Sequence, residues 1–141
     1  MGKINQSKMR KILLILSLTV ASSAFGQQPK QQWVTIKSAN LKCWECKDKL
    51  EKYLIQANKS TMESGLIQWK INLLQGEIKV QFWPDRADAS LIKAALNNAG
   101  FDADDDKAEP EAYAKLPPIC KRAEDGGGPK PPKPCHIPPV Q

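Results

Sequence analysis

The 141-residue sequence predicts an α+β fold, an antiparallel sheet covered on one face by two helices. Three observations predict it: two segments with helical apolar spacing, a pair of alternating segments joined by a tight turn, and another alternating segment ahead of the first helix.

Each element follows from a local pattern. From Trp33 to Ser38, Val34 and Ile36 alternate with Thr35 and Lys37, the period of a half-buried strand. Cys46, Leu50, Leu54 and Ala57 then form one stripe of a helix, with Lys47, Lys49, Glu51 and Lys52 turned to water. A polar break with Asn58, Lys59, Ser60 and Gly65 leads to a second strand around Leu66 to Leu73, with Trp69, Ile71 and Leu73 on one face. Gln75-Gly76 supplies a turn, and Ile78, Val80 and Phe82 alternate along a third strand, so the pair reads as a hairpin that Pro84 ends. Asp88 is placed to cap a second helix carrying Ile92, Ala95, Leu96 and Ala99, and Gly100 stops it. Phe101 to Asp104 is expected to add a short edge strand, which completes the βαββαβ order of a ferredoxin-like sandwich.

Both ends depart from this pattern. The first residues carry Lys3, Lys8, Arg10 and Lys11, then the apolar run Ile12 to Val20, then small residues up to Gly26, the layout of a cleavable secretory signal. The run is short of the roughly 20 residues that cross a bilayer, so no membrane insertion is expected after cleavage. The formal charge is +6. Without residues 1–26, 17 basic residues face 15 acidic ones, which leaves no electrostatic footprint for nucleic acid. At the other end, residues 117–141 hold eight of the eleven prolines, together with Gly126, Gly127 and Gly128. Such a segment builds no core and is expected to be extended unless something pins it. The expected organisation is therefore a signal peptide at 1–26, a domain at 27–106 and a Pro/Gly-rich tail at 107–141 that carries Cys120 and Cys135.

The chemistry concentrates at Cys43 and Cys46. Two cysteines separated by two residues at a helix start can aim both sulfurs at one point, and the helix amino terminus favours their thiolates. Two soft ligands suit a two-coordinate ion, Cu(I) first, with Hg(II) or Ag(I) as mimics; a structural Zn(II) site asks for four. The same spacing also serves redox exchange and short-range disulfides.

Thr35-Ile36, Cys43-Trp44-Glu45-Cys46, Gly65-Leu66, the strand to Phe82 and Gly100-Phe101 together resemble the heavy-metal-associated domain in order and spacing, over residues 32 to 104. The resemblance implies a metal held by Cys43 and Cys46 and passed to or from a partner protein by thiolate exchange. Leu41-Lys42 replaces the family's usual Met-Thr or Met-His, with Leu41 taking the core role of the methionine. Trp44-Glu45 replaces smaller residues, and Phe101 stands where many bacterial members have Tyr. Trp44 reads as a surface aromatic that shields the site or packs on the helix, in preference to a docking residue for a partner.

For the tail cysteines the default expectation in an oxidising compartment is a disulfide between Cys120 and Cys135. The sharper alternative brings Cys120, or Cys135 with His136, back to the metal as further ligands. The leading functional expectation is an exported, periplasmic or extracellular carrier or scavenger of a soft ion, not an enzyme. A periplasmic thiol-disulfide exchange protein and an exported interaction module with structural disulfides are the alternatives. With one histidine in the chain there is no Ser-His-Asp set, and no phosphate-cradling glycine loop appears.

Overall fold

The computed structural model describes residues 6–9, 11, 26–132 and 134–140. Twenty of the 26 residues of the expected signal segment lie outside them. Among the described residues no helix is long and apolar enough to cross a membrane.

The elements are β1 (Gln32–Lys37), α1 (Trp44–Ser60), β2 (Leu66–Asn72), β3 (Glu77–Phe82), α2 (Ala89–Asn98) and a short α3 (Pro110–Ala114), followed by two single-turn 3₁₀ segments, Pro118–Cys120 and Ala123–Asp125. The sheet order is β1-β3-β2 and both pairings are antiparallel. This is the ferredoxin-like arrangement, with the β2–β3 hairpin inserted between β1 and the second helix.

Register follows the apolar alternation. Val34 lies opposite Val80 and Ile36 opposite Ile78, while Trp69 and Ile71 face the same two β3 residues from the other side. The buried residues of α1 are Cys46, Leu50, Leu54 and Ala57, the stripe that the spacing predicts, and those of α2 are Ile92, Ala95 and Leu96. Asp88 caps α2 by accepting a hydrogen bond from the Leu91 N–H at 2.8 Å. The hairpin turn requires Gly76: its φ is +66°, and a Cβ there would stand 2.8 Å from the Ser38 carbonyl oxygen. Its own carbonyl accepts from the Ser38 N–H at 2.7 Å, tying the turn to the end of β1.

The expected sixth element is the first difference. Phe101–Asp104 meets the free edge of β1 at one residue, where the Asp104 N–H makes a single backbone hydrogen bond to the Lys37 carbonyl at 2.7 Å. The Asp104 carboxylate accepts from the Lys37 N–H at 2.9 Å and pairs with Lys93 at 2.7 Å. Asp104 has φ +55°, so the chain turns away after one contact, and Ala103 bridges Asp106. A side chain thus takes the place of the next rung of the ladder.

Candidate metal site at the start of the first helix

Cys43 is the residue at which α1 begins. Its backbone is extended (φ −118°, ψ 153°), and its carbonyl accepts from the N–H groups of Cys46 at 3.1 Å and Lys47 at 3.0 Å. This first turn turns both sulfurs toward the interior, where Cys43 and Cys46 are fully buried in the same core cluster as Leu41 and Phe101. Leu41 has no exposed surface and so fills the core position expected of it. Trp44 packs against the core edge with the Lys47 ammonium 4.1 Å from its ring centroid.

The sulfurs are joined in a way the sequence reading did not anticipate. Cys43 is bonded to Cys135 and Cys46 to Cys120, with Cα–Cα distances of 4.6 and 5.4 Å. The expected Cys120–Cys135 disulfide is absent, because the tail folds back and delivers one cysteine to each member of the loop pair. All four sulfurs are consumed, leaving no free cysteine. Among the described residues no group of three or more His, Cys, Asp or Glu is placed to hold a metal in this oxidised form. A disulfide sulfur is a poor donor compared with a thiolate, so the loop fits a soft ion only once reduced. His136 is exposed and lines a shallow surface pocket together with Trp44, Lys47 and Leu74.

Two polar groups, both unremarked in the sequence, hold the tail in place. The buried Asn40 side chain donates to the carbonyls of Gly100 (3.0 Å) and Cys120 (2.9 Å) and accepts from the Asp102 N–H (3.0 Å). One amide therefore joins the loop before the cysteines, the end of α2 and the tail. Asp102, also buried, receives the Arg122 guanidinium through Nε at 2.7 Å and through Nη2, and accepts from the Ala108 N–H at 2.9 Å. Burial alone would raise the Asp102 pKa, but the hydrogen bonds from Arg122 and Ala108 and the charge of Arg122 hold it below the ordinary carboxylate value. The Arg122 guanidinium, hydrogen-bonded to Asp102, is held still more firmly in its charged form. It also stacks 4.1 Å from the centre of the Tyr113 ring, whose hydroxyl donates to Asp125 at 2.6 Å and accepts from the Arg122 N–H at 2.8 Å. The tail that composition marked as extended is thus pinned by two disulfides and a buried ion pair.

Fold and site together define a small ferredoxin-like α+β protein whose CxxC loop is closed by its own tail. No protein-family model and no curated protein matches the chain. Among solved structures it is similar to a CopZ metallochaperone, at 22% identity and a TM-score of 0.44 over 51% of this chain and 98% of that one. Oxidized MerP from Ralstonia metallidurans CH34 is similar at 19% identity and a TM-score of 0.44, over 52% and 94%. A copper binding domain from HMA7, a P-type ATPase, is similar at 25% identity and a TM-score of 0.44, over 51% and 89%. At these scores the likeness extends over half of the chain and decides nothing about its chemistry.

Proposed function

We propose that this protein binds one soft metal ion, Cu(I) foremost, between the thiolates of Cys43 and Cys46 once its disulfides are reduced, and exchanges it with a partner protein as a carrier or scavenger outside the cytoplasm. The observation that supports this reading is the placement of both cysteines in the first turn of α1, where the amino-terminal field of a 17-residue helix favours paired thiolates. In the oxidised form Cys120 and Cys135 occupy the same two sulfurs, so ion and tail compete for them. Ion loading is then coupled to reduction. Export is supported by the basic, apolar and small-residue succession at residues 3–26 and by a cysteine usage suited to an oxidising compartment. The chemistry of the reading is ligand exchange and not catalysis.

A second reading, an exported interaction module with two structural disulfides, is favoured by the complete burial of Cys43, Cys46 and Cys120. One experiment separates them: competition for Cu(I) between the fully reduced chain and a chromogenic chelator. The carrier reading expects one tightly bound ion per chain, lost in Cys43→Ser and in Cys46→Ser. A reduced chain that takes no copper from the chelator would leave the structural-disulfide reading standing.

A further inference from the structure

The two disulfides are unequally enclosed. Cys46 and Cys120 both lack exposed surface. The Cys120 carbonyl is held by Asn40, and two residues on Arg122 is anchored to Asp102. Cys135 is only partly buried and sits between the exposed Pro134 and His136. A groove of about 500 Å³ lined by Pro118, Ile119, Pro129 and Pro134 leads to it. Thiol-disulfide exchange needs direct approach of a thiolate to one of the two sulfurs, and only Cys135 offers that approach.

We propose that Cys43–Cys135 is a reducible latch, and that its opening creates a soft-ion site made of the Cys43 and Cys135 thiolates while Cys46–Cys120 remains closed. This goes beyond the CxxC reading, because Cys43 is paired with a tail cysteine in place of Cys46; it rests on that reading only for the class of ion. The reductant is a dithiol. One of its thiolates attacks the Cys135 sulfur and Cys43 departs as a thiolate. The second thiol then attacks the reductant's own sulfur in the mixed disulfide and releases Cys135. The reductant leaves as its disulfide, and the protein has gained two electrons, with protons taken up to the extent that the new thiolates protonate.

The open pair stays together without its covalent bond. The Trp44 N–H donates to the Cys135 carbonyl at 2.6 Å, which keeps residue 135 at the amino terminus of α1. Two thiolates held there match an ion that accepts linear two-sulfur coordination.

The test treats the oxidised full chain with one equivalent of a dithiol, alkylates it and maps the labelled peptides, with Ag(I) as the probe ion in a parallel sample. The expected result is label on Cys43 and Cys135 alone, and protection of both by one Ag(I) per chain. Equal labelling of all four cysteines, or a Cys43–Cys46 bond with Cys120 labelled, would overturn the latch. Protection by Ag(I) only after complete reduction would overturn the new site and leave the CxxC reading intact; protection in neither state would overturn both. In the pair Cys46→Ala with Cys120→Ala, which keeps the latch, the two sites make opposite demands: a Cys43–Cys135 site retains one Ag(I) per chain after dithiol treatment, and loss of the ion, as the CxxC site requires, overturns the new site.

Discussion

Between residues 32 and 104 the interior is assembled from side chains that periodicity assigns to one face: Ile36, Leu50, Leu54, Ile78, Val80, Ile92 and Leu96 have essentially no exposed surface. Beyond residue 105 the described interior side chains are Ala108, Leu116 and Cys120, and the chain is held by two cross-links, the Asp102–Arg122 pair and the Tyr113 contacts. The body is organised by non-directional burial, which tolerates small errors of placement. The tail is organised by bonds that either form or do not. The difference teaches that a proline-rich segment without a core of its own can still be fixed in space, provided that each of its few anchors meets a specific partner.

Breaking the inner cross-link is the strongest way to separate the two regions. With Cys43–Cys135 closed, the loop that Cys46–Cys120 closes runs through that bond, three residues on one side and fifteen on the other, for which loop entropy gives about 3 kcal/mol. Cys46→Ala with Cys120→Ala is expected to lower unfolding stability by about that amount in denaturant titration while far-ultraviolet dichroism of the folded state is kept. Within the body, Leu54→Ala should cost about 3 kcal/mol through the cavity it leaves, with the disulfides still formed when free thiols are counted.

The ion pair supplies a smaller and pH-dependent effect. Arg122→Met removes the guanidinium hydrogen bonds of the buried Asp102 carboxylate, which keeps only the Ala108 N–H, and should cost about 2 kcal/mol, seen as faster amide exchange in residues 116–125. Because the folded Asp102 pKa lies below its unfolded value, its contribution is complete above the ordinary carboxylate pKa near 4 and is lost as the pH falls through the lowered folded value. Asp102→Asn should flatten that acid dependence of tail exchange. The smallest effect is Asp88→Ala, which removes the α2 cap for about 1 kcal/mol in thermal unfolding and should leave tail exchange unchanged.

This division also explains what could be read from the sequence. The α1 stripe, the hairpin at Gly76 and the Asp88 cap are local patterns, and the structure contains each of them; the core position of Leu41, which only the resemblance implied, is present too. The fourth strand was legible only as a possibility of length and position, since nothing in Phe101–Asp104 announces the left-handed turn at Asp104. Four cysteines admit three complete pairings, and sequence proximity favours Cys120 with Cys135. The observed pairs have separations of 92 and 74 residues, chosen by where Asn40, Asp102 and the Trp44 N–H hold the tail. A lone Asn40 and an Arg122 in a charged, glycine-rich stretch carry no local signature of those roles.

The bonds 43–135 and 46–120 are nested, the second lying wholly inside the span of the first. Both ends of the segment 121–134 are therefore fastened to the same turn of helix. A backbone cut anywhere within it leaves two polypeptides and one covalent object. Such a nicked molecule keeps its mass under non-reducing conditions, apart from the water added, and sheds its last residues only when a reductant arrives. In this respect the arrangement makes the glycine- and proline-rich segment a part of the chain that can be severed without being lost.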